Sequence, residues 1–272
     1  MALKLLLAGC GKMGGAMLAG WLERGIQPED VTIIDPNTDV TRKLTEDLGV
    51  NIAADPNSID TSSRPDVILL AVKPQAMDDV VPSYAHLARQ DTVYLSIAAG
   101  KTIAYFEQHL GSSAAIIRAM PNTPAAVRRG ITVACPNGHV SETQRNSCDE
   151  LLQAIGSVEW VDDEGLIDAV TALSGGGPAY VCLLVECMAQ AGIDAGLPGD
   201  LAMRLARETV AGSGELLHQS TEDAATLRKN VTSPGGTTAE ALRILMAEEN
   251  GWQSLITKAI AAATSRSREL AG

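Results

Sequence analysis

The chain predicts an α/β fold in two parts: a mostly parallel sheet in residues 1–162, then an all-α region in residues 163–272. Two observations predict it. Short apolar runs alternate with amphipathic segments in the first part, and no convincing strand follows in the second. Strand–helix–strand order of this kind builds βαβ units, whose strands pair in parallel.

The strand candidates are, in order, LKLLLA, VTIID, DVILLAV, TVYLSIA, AAIIRAM, ITVACP and SVEWVD. The first four are separated by helical patterns closed by glycine or proline, such as AMLAGWLERG and TRKLTEDLG. NTDVTRK and IDTSSRPD read as loops. Five helices are expected after the sheet: Pro178–Ala195, Pro198–Gln219, Asp223–Val231, Thr237–Glu249 and Trp252–Leu270. The first of these is apolar on nearly every face, with Glu186 the exception. Such a helix is buried all round. Residues 163–272 alone can hardly surround it, so a second copy of the chain is expected to, giving at least a homodimer.

Net charge is −12, which disfavours nucleic acid and anionic membrane as partners of the surface as a whole. The five cysteines (Cys10, Cys135, Cys148, Cys182, Cys187) are scattered, with no CxxC pair. That pattern suits reduced thiols in a cytoplasm better than a disulfide framework. The four histidines show no metal-ligand spacing, so no metal site is expected. The opening ALKLLLAG lacks a leader's length and cleavage site, and no uncharged apolar run approaches the roughly 20 residues that span a bilayer. A cytoplasmic location follows as the expectation.

Directly after the first strand comes GCGKMG, residues Gly9, Cys10, Gly11, Lys12, Met13 and Gly14. In a GxGxxG turn the first glycine allows the sharp bend, the second admits a pyrophosphate to the backbone, and the third lets helix pack on strand. The helix N-terminus adds N–H donors and a positive dipole end. The first part therefore reads as a Rossmann-type domain for NAD or NADP. Asp35, at the end of VTIID, stands where a carboxylate takes the ribose hydroxyls of NAD; its plainer reading is a helix cap beside Pro36. Asn37, Thr38, Thr41, Arg42 and Lys43 follow and offer another route to the extra phosphate of NADP. Cofactor preference stays open on these residues.

Ligands of an open parallel sheet lie at the carboxyl ends of its strands. That places AVKPQ (with Ala71, Val72, Lys73 and Pro74), SIAAG (with Ala98 and Ala99) and MPNTP (with Asn122) near the dinucleotide. The alternatives are a surface charge for Lys73 and a simple interdomain turn for MPNTP. In LSGGGPAY, glycines and Pro178 open the apolar helix; proline suits a first helical turn, and the glycines leave room for a ligand or for tight packing.

These motifs, and above all VTSPGGTTAEAL (Val231–Leu242), are similar in order and spacing to pyrroline-5-carboxylate reductases across nearly the whole chain. The resemblance implies a Rossmann domain, a helical substrate-binding and dimerisation domain, and hydride transfer from NAD(P)H to a cyclic imino acid, the last step to proline. It also implies that the Thr238 hydroxyl hydrogen-bonds the ring nitrogen, the catalytic contact. Two departures stand out. Gly176 occupies a position where the family often has serine, and many relatives carry a small polar residue where this chain has Asp35.

The chemistry of SPGGTT agrees. A Gly-Gly turn at a helix N-terminus offers several N–H donors to a carboxylate; Gly235 and Gly236 supply it, and Ser233 and Thr237 add hydroxyls. The plainer reading is an elaborate helix cap. Two other functions fit the residues less well. A hydroxyacid dehydrogenase of the related Rossmann-plus-helical type needs an acid to protonate an alkoxide, and Leu173–Ala191 holds no Lys, His or Arg. A non-catalytic dinucleotide-binding regulator has no use for an intact SPGGTT.

Overall fold

A computed structural model describes residues 3–59 and 64–271. In it the apolar runs become one sheet: β1 (Leu5–Ala8), β2 (Val31–Ile34), β3 (Asn51–Ile52), β4 (Val67–Leu70), β5 (Val93–Ser96), β6 (Ala115–Met120), β7 (Gly130–Pro136) and β8 (Gly156–Trp160). The spatial order is β3-β2-β1-β4-β5-β6-β7-β8. All seven expected strands are present; β3 is a two-residue edge strand, too short to leave an apolar run. Pairing is parallel except between β6 and β7, which are joined by a short turn (residues 121–129) rather than a crossover helix.

The helices are α1 (Lys12–Glu23), α2 (Thr38–Leu48), α3 (Met77–Val80), α4 (Ile103–Leu110), α5 (Glu142–Gln153), α6 (Leu166–Val170), α7 (Gly177–Asp194), α8 (Gly199–Gln219), α9 (Ala224–Asn230), α10 (Thr237–Leu245) and α11 (Trp252–Ala271). NTDVTRK is therefore not a loop. It is the first turn of α2, started by the Asn37 side chain, whose Oδ1 accepts the Asp39 N–H at 3.1 Å. Of the loop expected at IDTSSRPD, residues 60–63 lie outside the described residues. The connection from β4 to β5 holds no long helix: Pro74 and Pro82 confine it to 3-10 turns around the single turn α3.

Both faces of the sheet are covered, which is why the strands read as continuous apolar runs rather than alternating ones. Leu5, Leu7, Val31, Ile33, Val67 and Leu69 face α1 and α5 through Met17, Leu18, Trp21, Leu151 and Leu152. Their neighbours Leu6, Ala8, Ile68, Leu70 and Tyr94 face Met77, Tyr84, Leu87, Phe106 and Leu110. β1 pairs with β2 on one side and β4 on the other. The strand order reverses there, which opens a crevice at the carboxyl ends of β1 and β4.

The chain divides into two compact units, Met1–Gly175 with Ala263–Gly272, and Gly176–Ala262. The strands end at Trp160, close to the change of character at residue 162, but α6 and the π-helical turn Thr171–Gly175 still belong to the first unit. The end of α11 also returns to it: the Ser267 hydroxyl donates to Asp168 Oδ1 at 2.7 Å.

In the second unit α7 and α8 form a helical hairpin packed through small residues. Ala189, Ala202 and Ala206 are buried, and a Cβ on Gly192 would lie 3.2 Å from that of Ala202. Almost nothing larger is covered. Val181, Leu183, Leu205, Leu216, Leu217, Ile244 and Leu255 are among the exposed large side chains, and Leu183 is 57% exposed. The expected all-round burial of α7 is thus not achieved within one chain. α10 stops at Leu245, short of the expected Glu249. The helical run Leu166–Asp194 is long and apolar enough to cross a membrane by length and composition, and residues 169–185 carry no charge. The sequence expectation understated this run; Asp168 and Glu186 interrupt it on either side.

Candidate active site

β1 delivers the glycine turn to the crevice. Gly9 has φ +88°, a conformation that costs glycine nothing and other residues a good deal. Its N–H donates to the Ile34 carbonyl at 2.8 Å, and the Ala71 N–H donates to the Ala8 carbonyl at 2.8 Å. A Cβ on Gly9 would lie 3.0 Å from the Ala71 oxygen, and one on Gly14 only 2.3 Å from the Gly9 oxygen. The fold itself demands those two glycines. Gly11 differs, because a Cβ there meets nothing within 4 Å: its open side is what an approaching pyrophosphate requires.

The start of α1 has the same character. Helices α4, α5 and α9 are each capped by a side chain, from Thr102, Ser141 and Asp223. α1 begins on Gly11 with none, leaving the N–H groups of Lys12, Met13 and Gly14 for an anion. These residues fit a dinucleotide.

Asp35 does not cap α2. Its carboxylate accepts the Cys10 N–H on Oδ2 at 2.7 Å and the Asn37 N–H on Oδ1 at 2.8 Å, which ties the end of β2 to the glycine turn. Burial, helped by the Asp35 charge, pushes the Cys10 thiol up to about 11. That favours the protonated thiol at neutral pH.

Ala71–Pro74, Ala98, Ala99 and Asn122 follow β4, β5 and β6 on the same edge of the sheet. Lys73 is exposed, Ala71, Val72 and Ala99 are half-buried, and Ala98 is buried. The side-chain oxygen of Asn122 accepts the Ile131 N–H at 3.0 Å, so part of its polarity holds the β6–β7 turn. Gly175 explains itself by packing, since a Cβ would lie 2.6 Å from Met120 Cε.

One residue at this edge was missed. Arg118, 3% exposed, lies in the middle of β6 and pairs with Glu164 at 2.8 Å. Glu164 Oε1 also accepts the Ile103 N–H at 2.8 Å. The pair fastens the loop before α6 and the start of α4 to the strand that ends in MPNTP. The signal was there: an arginine inside the apolar run AAIIRAM demands a partner.

In the second unit, Pro178 sits in the first turn of α7, and Ser233–Gly236 forms a tight turn. The Gly236 N–H donates to the Ser233 carbonyl at 3.0 Å, with Pro234 second and Gly235 third at φ +70°. That is a type II turn, which needs glycine in its third place. α10 follows from its N-cap Gly236, and no side chain of SPGGTT bonds its first N–H groups. Ser233, Thr237 and Thr238 are exposed. The turn thus sets the uncapped N–H groups that open α10 beside three hydroxyls.

Comparison with known proteins agrees. Residues 164–270 match the family described as pyrroline-5-carboxylate reductase dimerisation, and residues 4–100 match NADP oxidoreductase coenzyme F420-dependent. A pyrroline-5-carboxylate reductase of Synechocystis is 39% identical over 99% of both chains. The structure of one from Coxiella burnetii superposes with a TM-score of 0.92 at 32% identity, covering 100% of both chains. That of Plasmodium falciparum pyrroline carboxylate reductase, with NADP bound, gives 0.82 at 29%, covering 99% of this chain and 98% of that one. With its glycine turn, its SPGGTT turn and relatives aligned from end to end, the chain belongs to the pyrroline-5-carboxylate reductase family.

Proposed function

We propose that this chain reduces 1-pyrroline-5-carboxylate to L-proline with NAD(P)H, the last step of proline biosynthesis, as an assembly of at least two copies in the cytoplasm. One observation carries the reading: α10 opens on a type II turn whose N–H groups no side chain caps, beside the hydroxyls of Ser233, Thr237 and Thr238. A cyclic imino acid has one carboxylate and one ring nitrogen. Ser233, Gly235, Gly236 and Thr237 hold the carboxylate, and the Thr238 hydroxyl bonds the nitrogen.

Gly9, Cys10, Gly11, Lys12, Met13 and Gly14 hold the pyrophosphate, and Asp35 the ribose. Ala71, Val72, Lys73, Pro74, Ala98, Ala99, Asn122 and Pro178 line the rest of the dinucleotide site. When bound, the dinucleotide supplies a hydride to the C=N carbon. The imine nitrogen can arrive protonated and becomes a basic amine, so a strong acid is unnecessary and a hydroxyl suffices to orient it. Residues 1–162 serve as the dinucleotide domain, and residues 163–272 bind substrate and join the copies. The exposed apolar residues of α7, α8 and α10 support that assembly, and the scattered free cysteines support a reducing compartment.

The test is an assay of purified protein with NADH or NADPH against the imine and against a 2-keto acid. The expected result is one proline formed per dinucleotide oxidised, and no turnover of the keto acid. A keto acid reduced faster than the imine favours a hydroxyacid dehydrogenase. Dinucleotide binding without turnover of either favours a regulator.

A further inference from the structure

β2 ends on a carboxylate that is locked in place. In a fold of this kind the adenosine ribose lies beside that strand end, and here the position belongs to Asp35. Its carboxylate cannot swing aside cheaply. Each oxygen is held by a backbone N–H, from Cys10 at 2.7 Å and Asn37 at 2.8 Å, and one of those donors is in the glycine turn itself. An oxygen that accepts one N–H keeps capacity for another donor, which a free 2′-hydroxyl supplies. A 2′-phosphate brings only acceptors and negative charge.

Two of the groups that could compensate already have partners. Arg42 is paired with Asp39 at 3.2 Å, and the Asn37 side-chain oxygen holds the Asp39 N–H. The Arg42 pair is exposed and weak, so the arginine is free to turn. A phosphate would still meet the carboxylates of Asp35 and Asp39, with Arg42 and Lys43 as the neighbouring cations along the chain.

We propose that Asp35 makes this chain select NADH over NADPH. The proposal rests on the dinucleotide reading of the glycine turn. The experiment is a fluorescence titration of each reduced dinucleotide into wild type, Asp35→Asn and Asp35→Ser, with kcat/KM measured in parallel. Wild type should bind NADH at least about tenfold more tightly than NADPH. Both variants should shrink that ratio by about tenfold, chiefly through tighter NADPH binding. Asp35→Asn keeps the side chain's size and an acceptor oxygen, so it separates charge from shape. Equal or tighter NADPH binding by wild type overturns the proposal. So does a parallel weakening of both dinucleotides in both variants, which would leave Asp35 as only a lock on the glycine turn. If wild type binds neither dinucleotide, the reading of the glycine turn fails along with it.

Discussion

Thr238 and Ser233 flank the same turn. In the proposed function they serve different stages: the Thr238 hydroxyl would meet the nitrogen whose bonding changes during reduction, whereas the carboxylate at Ser233 would be the same in substrate and transition state. Thr238→Val keeps the β-branched shape and loses only the hydroxyl. It should lower kcat/KM for the imine by about 5- to 150-fold, or roughly 1–3 kcal/mol, with dinucleotide affinity unchanged. Ser233→Ala should act mainly by raising KM. Steady-state kinetics of both variants would check this; wild-type turnover by Thr238→Val would make the turn a structural element. The turn itself was legible in the sequence, because SPGGTT has more glycines and hydroxyls than a helix start needs. The exact job of Asp35 was not, because its bond to Cys10 joins residues brought together only when β1 and β2 pair.

At the scale of the element, α1 and α7 make separable predictions. Gly11 and Gly14 look alike in sequence but not in space. Gly14→Ala forces a methyl group to 2.3 Å from the Gly9 oxygen, so the turn must shift and Tm should fall, at a cost of about 1–3 kcal/mol. Gly11→Ala meets nothing in the protein and should leave Tm almost unchanged, yet weaken dinucleotide binding by about tenfold or more through its clash with the phosphate. Thermal melts and dinucleotide titrations of the two variants distinguish them; a stable, fully binding Gly14→Ala would refute the packing argument. For α7, Leu183 is the informative position because it is exposed within one chain. Leu183→Glu costs the isolated chain little, and if α7 forms the contact between copies it puts a charge into that contact. Sedimentation should show a smaller species than wild type at micromolar concentration, and an unaltered assembly would place the interface elsewhere.

For the whole molecule, the buried acids predict an alkaline limit. Burial pushes the thiols of Cys10 and Cys135 from 9.0 up to about 11, and raises the Tyr84 and Tyr94 hydroxyls as well. A raised folded-state pKa means the native chain keeps protons that the unfolded chain gives up. For the thiols, the stability is whole below pH 9 and is lost as pH climbs through about 11. Tm measured between about pH 8 and pH 11 should be level at first and then fall; a flat profile would contradict the burial of these groups.

The sequence alone determined the seven main strands, the Rossmann-plus-helical architecture and both glycine turns, because each is written in local terms. Strands covered on two faces are continuous apolar runs, and a turn that needs φ > 0 or a close approach needs glycine at one position. Tertiary structure decided what depends on distance through space. It set Arg118 against Glu164, drew α6 and the end of α11 into the first unit, and spent part of Asn122 on the β6–β7 turn. It also separated the glycines that packing demands from the one left open. None of these is written in neighbouring residues, because each is a contact between segments that only the paired sheet brings together.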